Sequence, residues 1–173
     1  MPAYAVRIKG LDELRKQFKK YPKIAGRHYR IAMRKSVTTI EAKAKPLTPV
    51  FRGRLRQSIV SEVRGTGVEI TGIVGSSLKN EVYPSVIEYG RKPNSKAPPA
   101  KALERWVWLV LKPPKKMVRS VAFVVARAIG KRGFKNKPKG YRMLQKGWEQ
   151  SRRKVYQNFS KALADITEDL AKQ

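Results

Sequence analysis

One apolar stripe constrains the fold more than anything else in the chain: Leu144, Trp148, Val155, Phe159, Leu163, Ile166 and Leu170 recur at helical spacing. That period marks one face of an α-helix about seven turns long. A second stripe follows Pro22, where Tyr29, Met33, Val37, Ile40 and Ala44 recur every three or four residues until Pro46 and Pro49 end the run. Two long amphipathic helices far apart in sequence therefore have apolar faces to bury.

The stretches between and before them read differently. Tyr4, Val6 and Ile8 alternate with Ala5, Arg7 and Lys9 before Gly10, the pattern of a short strand with one buried face. Leu11-Asp12-Glu13-Leu14 then opens a short helix that carries Phe18. Residues 58–64 and 68–75 predict a hairpin around Gly65-Thr66-Gly67, with Ile59, Val63, Val68, Ile70 and Val74 as its core residues. Residues 83–90 predict a short helix with Pro84 in its first turn and Gly90 at its end.

Residues 91–99, with three prolines and no large apolar side chain, predict an exposed loop. Leu103, Trp106, Val107 and Val110 begin a helix that Pro113-Pro114 stops, and Met117, Val121, Val124, Val125 and Ala128 resume the period, which predicts a helical hairpin. The apolar runs 106–111 and 121–129 are too short to span a bilayer and are read as buried helix segments. Residues 130–140 form a second basic loop.

The predicted architecture is α+β: a small antiparallel sheet from the N-terminal strand and the hairpin, packed by long amphipathic helices that include a central helical hairpin and the long C-terminal helix. At 173 residues, one domain spanning 1–173 is expected.

Charge restricts the partners. Forty Lys and Arg against 12 Asp and Glu give a formal charge of +28, enough to make isolated copies repel one another. An anionic neighbour is expected, and duplex DNA, RNA, anionic lipid or an acidic protein surface would each meet that need, because phosphate attraction is independent of sequence.

There is no cysteine and only one histidine, His28, set in a helical stretch between Arg27 and Tyr29. Disulfide and thiolate chemistry are thereby excluded, and Cys-His and Ser-His triads have few possible parts. Neither a G-x-S-x-G elbow nor a glycine-rich phosphate loop is present. The carboxylates are scattered; Glu62 and Glu69, the pair that could meet across the hairpin, are read as exposed strand charges. No enzyme activity, cofactor or metal site is expected. The N-terminus lacks the apolar core of a secretion signal, so the protein is expected to stay where it is made.

The most informative stretch is 48–59, Thr-Pro-Val-Phe-Arg-Gly-Arg-Leu-Arg-Gln-Ser-Ile, between the first long helix and the hairpin. Gly53 permits a turn, Leu55 and Ile59 can anchor it to the core, and Arg52, Arg54 and Arg56 remain exposed. Those arginines are either a solvated basic face or a contact for DNA phosphates or an acidic neighbour. A denser basic run follows at Lys131, Arg132, Lys135, Lys137, Lys139, Arg142 and Lys146, interleaved with Phe134 and Tyr141, and is open to the same two partners. Arg152, Arg153 and Lys154 extend the positive surface along the last helix.

The order helix, Pro49-x-x-x-Gly53-x-Leu55-x-x-Ser58-Ile59, hairpin resembles the neck and tail-completion proteins of long-tailed phages, the gene-product-ten-like family. Three further blocks are similar in the same order: 6–14, with its strand and Gly-Leu start; 83–90, with Glu88 and Gly90; and 123–133, a helix running into glycine. Arg91, where a small residue is usual, and residues 138–144 depart from the family pattern.

The resemblance implies a non-enzymatic virion protein of the head-tail junction, present in the host cytoplasm during assembly. It implies a homo-oligomeric ring, sixfold or twelvefold, between head-closure proteins and tail-terminator or tail-tube proteins, with genomic duplex DNA in its channel and no membrane contact. A free non-specific nucleic-acid-binding protein is the alternative that charge alone supports.

Overall fold

Burial along the first long helix repeats every three or four residues, and everything in its half of the molecule is arranged around that stripe. The structure is a computed structural model and describes residues 5–7, 22–67, 69–78, 82–133 and 140–171. The predicted helix at 11–18, and the flanking strand residues Tyr4 and Ile8, lie outside them. By its contacts the chain divides into two compact units, Met1–Pro84 with Met143–Gln173, and Ser85–Arg142.

In the first unit, helix α1 (Pro22–Leu47) buries Ala25, Tyr29, Met33, Val37, Ile40 and Ala44. Pro46 is accommodated in the last turn, and Thr48 Oγ1 donates to the Ala44 carbonyl at 3.0 Å, occupying an acceptor the ending helix would otherwise leave free. A short helix α2 (Arg54–Ser58) leads into strands β2 (Ile59–Thr66) and β3 (Glu69–Ser76).

These strands pair antiparallel from Ile59↔Ser76 to Thr66↔Glu69, and β1 (Ala5–Arg7) pairs antiparallel with the other edge of β3, giving the order β1-β3-β2. Directly opposed residues share a face. Ile59, Ile70 and Val74 are buried against α1 and Val63 is half-buried, while Val60, Glu62 and Arg64 point to solvent. Val68 is outside the described residues.

Helix α1 lies so close to the sheet that a Cβ on Gly72 would stand 2.5 Å from both Met33 Sδ and Val37 Cγ1. The register also corrects the pairing considered for Glu62 and Glu69: Glu62 opposes Ile73, and Glu69 opposes Thr66. Glu62 is instead held by Arg64 on its own strand, Nη2 to Oε2 at 2.6 Å, because residues two apart share a face. That bond holds the Glu62 carboxyl below its usual range and raises Arg64.

Helix α6 (Met143–Ala171) runs antiparallel to α1 and is bonded to it along its length. Gly147 meets Ala44, Ser151 Oγ reaches the Thr39 carbonyl at 3.4 Å, and Asn158 Nδ2 donates to Ser36 Oγ at 3.2 Å. The Tyr29 and Phe159 rings pack with centroids 5.3 Å apart. At the far end His28 Nε2 donates to Asp169 Oδ2 at 2.7 Å, with Asp165 4.0 Å from Nδ1. Carboxylates near the end of α6 thus serve a histidine on α1. The buried line of α6 is Leu144, Gly147, Ser151, Val155, Phe159, Ala162 and Ile166, with Trp148 and Leu163 half-buried beside it. Small residues occupy the points of closest approach, which lets two backbones meet where larger side chains would hold them apart.

Helix α3 (Tyr83–Tyr89) crosses the boundary in sequence between the units. In the second unit, residues 91–99 form a loop before helix α4 (Ala100–Trp106), which widens into a π-turn at Val107–Leu111. Lys112, with φ 48°, and Pro113-Pro114 end it, and a 3₁₀ turn at Lys115–Met117 opens helix α5 (Val118–Arg132).

The pair is the predicted helical hairpin, but its apolar registers differ from those read in sequence. The buried line of α5 is Ala122, Ala126 and Gly130, while Met117 and Val124 are 47% and 64% exposed and Ala128 is also exposed. The runs 106–111 and 121–129 are not buried segments either: Val107 is buried, whereas Trp108, Leu109, Val110, Leu111 and Phe123 are exposed. Short helices joined by a tight turn approach through alanine and glycine, which pushes bulkier valines to the flanks or outward.

Candidate functional site

The conformation of 49–59 begins with Gly53. Its φ of 76° lies in the left-handed region, where a side chain costs roughly 1 kcal/mol or more, and α2 starts immediately after it. Leu55, Ser58 and Ile59 are buried, so α2 is anchored on one side. Ser58 Oγ donates to the Leu55 carbonyl at 2.8 Å and lies 2.8 Å from Ser76 Oγ across the hairpin. Pro49 is half-buried, and Val50 and Phe51 are exposed beside it.

The three arginines of this segment reach the surface, but not all are free. Arg56 Nη2 donates to the Thr48 carbonyl at 3.2 Å, tying α2 back to the end of α1. Arg54 is also engaged. Arg52 is exposed.

In the second unit, Glu88 is 3% exposed and Gly90 turns the chain with φ 83°. The carbonyls of Ile87 and Glu88 accept the Tyr141 and Arg142 N–H groups at 2.8 and 3.1 Å, clamping the end of α3 to the segment before α6. Gly140 sits in this clamp with φ 72°, and a Cβ there would lie 2.2 Å from the Glu88 carbonyl oxygen. Glycine at 140, where the sequence departs from the family pattern, is thus demanded by backbone contact.

The loop 91–99 is held across the end of α5. The Asn94 and Ser95 N–H groups donate to the Lys131 and Gly130 carbonyls at 3.1 and 3.0 Å. Arg91 braces it, with Nε donating to Ser95 Oγ at 3.1 Å and Nη2 to the Lys96 carbonyl. Arg91 is therefore a loop-bracing residue here.

Of the dense basic run, Lys131 and Arg132 are exposed on the last turn of α5, Arg142 is exposed with φ 51°, and Lys146 is exposed on α6. Lys135, Lys137 and Lys139 lie outside the described residues. Helix α5 includes residues 130–132, so the described part of the expected 130–140 loop begins at Gly133.

Two surfaces were not singled out as sites in the sequence. One is the apolar end of the α4–α5 hairpin, where Trp108, Leu109, Val110 and Leu111 are 41–50% exposed, with Lys115 Nζ 6.0 Å from the centre of the Trp108 ring. Proline-bounded apolar runs were legible, but their exposure was not. The other is the outward face of α6 around Arg152, Arg153 and Tyr156, which form a shallow cleft with Gln157 and Ser160. Among the described residues no three His, Asp or Glu side chains are grouped to hold a metal ion, and no helix is long and apolar enough to cross a membrane.

No curated protein and no solved structure matches the chain. Residues 12–90, a little under half the chain, match the family described as "Bacteriophage HK97-gp10, putative tail-component". The matched stretch contains α1, the Gly53 turn, the hairpin and the Glu88-to-Gly90 block, so over residues 12–90 the chain is similar to a phage tail-component family, while the block at 123–133 lies outside the match.

Proposed function

We propose that the chain is a structural, non-enzymatic virion protein of the phage head-tail junction, a neck or tail-completion subunit. In this reading identical copies form a ring, sixfold or twelvefold, between head-closure proteins and tail-terminator or tail-tube proteins, and genomic duplex DNA passes through its channel. The observation that carries the reading is the tail-component match over 12–90, which includes the turn and hairpin as one ordered block.

The hairpin end supports it from a second direction. Large apolar side chains clustered on an exposed surface commonly mark a contact with another protein, and the consecutive Trp108, Leu109, Val110 and Leu111 are placed in this way. A subunit buried between ring neighbours or adjoining virion proteins has a use for such a surface, whereas a freely diffusing basic protein does not. Subunits of formal charge +28 repel one another, so the ring is expected to close most readily at raised salt or around a polyanion.

Mass photometry of the purified protein across a salt series, with electron microscopy of the largest species, tests the reading. Closed rings of uniform order are expected. A monomer at every salt concentration that binds duplex DNA with a steep salt dependence would replace this reading with that of a free nucleic-acid-binding protein.

A further inference from the structure

We propose that the outward face of α6, at Arg152, Arg153, Tyr156, Gln157 and Ser160, binds the phosphodiester backbone of duplex DNA. The inference rests on the ring reading for its setting and adds to it the surface that faces the nucleic acid.

The cleft lined by these five side chains has a volume of about 470 Å³. All five can donate hydrogen bonds, two are permanent cations, and none is a carboxylate. Among the described residues none of the five side chains makes a hydrogen bond or an ion pair, and Tyr156 is 59% exposed. The carboxylate on the preceding turn, Glu149, accepts from Gln145 Nε2 at 3.0 Å. No acidic residue follows until Asp165, whereas Lys154 and Lys161 add charge along the same exposed helix. An open, donor-rich surface without carboxylates suits phosphate oxygens and reads no base.

The backbone that carries this face is fixed by packing. Directly beneath it Ser151, Val155 and Phe159 are 1–3% exposed, and Ser151, Asn158 and Phe159 each contact α1. The outward register is therefore set by the buried one. Arg56 spends its guanidinium on Thr48, and Arg54 is engaged as well. Unpartnered donors whose backbone is already held in a packed helix lose less freedom on binding than donors whose backbone must be ordered at the same time.

Fluorescence anisotropy with a labelled random-sequence DNA duplex, titrated over salt, tests the assignment on the full chain. The R152Q/R153Q variant keeps helix-compatible, exposed side chains, and K116Q/R119Q removes the same charge from the α4–α5 hairpin. R152Q/R153Q is expected to weaken binding by about tenfold or more and to lower the salt slope by nearly two units, at roughly 0.9 per phosphate contact. K116Q/R119Q should move both far less. Equal losses from the two variants, no loss from R152Q/R153Q, absence of duplex binding by the unmodified protein, or preferential binding to vesicles of anionic phospholipid would each overturn the proposal. Oligomeric state measured on the same samples separates the two readings: rings with unaltered DNA binding in R152Q/R153Q sink the site alone. Selective loss of binding from a protein that forms no ring keeps the site and sinks the ring.

Discussion

Helices α1 and α6 meet most closely where Gly147 faces Ala44, and replacing Gly147 by alanine sets two effects of known size against each other. In an isolated helix the change is favourable by about 1 kcal/mol, because glycine is the poorer helix former. Here a Cβ at 147 would stand 2.9 Å from Ala44 Cβ and 3.0 Å from its Cα and N. Two of those obstacles are backbone atoms, so rotamer adjustment offers no relief and the helices must separate. Overpacking of this kind costs about 1–3 kcal/mol, and the upper part of that range applies because separation also loosens the Ser151 and Asn158 links further along.

The expected net effect of Gly147→Ala is therefore a destabilisation of about 1–2 kcal/mol, or roughly 2–8 °C in Tm for a chain of this size. Urea and thermal unfolding followed by far-UV circular dichroism give the value. A cycle with Ala44→Gly sharpens it, since removing the Ala44 Cβ relieves part of the clash and the pair should couple favourably by about 1 kcal/mol. A Gly147→Ala protein as stable as the parent or more so, or a coupling of zero, would refute the close-approach account of this helix pair.

Three further outcomes are expected from the same unfolding assays. Burial tends to raise the Glu41 carboxyl, but hydrogen bonds from Lys45, at 2.6 Å, and from Ser61 outweigh it and hold the group below its ordinary value. Its contribution is thus complete above the ordinary carboxylate range and is lost as pH falls through the lowered folded value, so Glu41→Gln should narrow the stability gap between neutral and acid solution. Replacing His28 by alanine removes the 2.7 Å bond to Asp169 and should cost about 1 kcal/mol, with Asp169→Asn adding less in the double variant than alone. Gly140→Ala, placing a Cβ 2.2 Å from the Glu88 carbonyl oxygen at a φ of 72°, should cost more than about 3 kcal/mol and release the Tyr141 and Arg142 amides to fast hydrogen exchange.

The parts of the fold legible in sequence are those in which the apolar pattern has one solution. Tyr29, Met33, Val37, Ile40 and Ala44 are all buried on α1, and the hairpin spans 59–66 and 69–76, within two residues of the sequence reading. The α5 register was hidden because Val121, Phe123, Val124, Val125 and Ile129 surround the helix, so large apolar residues do not single out a face; Ala122, Ala126 and Gly130 do, by being small. Small residues replace large ones on α6 in the same way, where Gly147 and Ser151 are buried and Trp148 is half-buried beside them.

At the candidate site the division is much the same. From the sequence alone came a strongly basic chain, two long amphipathic helices, a hairpin and the Gly53 turn, because periodicity, charge and the need for a positive φ are local properties. Which basic side chains are free for a partner was decided by the tertiary structure. Arg56 and Arg91 stand in basic segments, yet backbone carbonyls claim their guanidinium groups, while Arg152 and Arg153, on the outward register of α6, make no side-chain hydrogen bond or ion pair among the described residues. A cation's availability depends on the acceptors that folding brings to it, and those come from parts of the chain that linear order leaves apart.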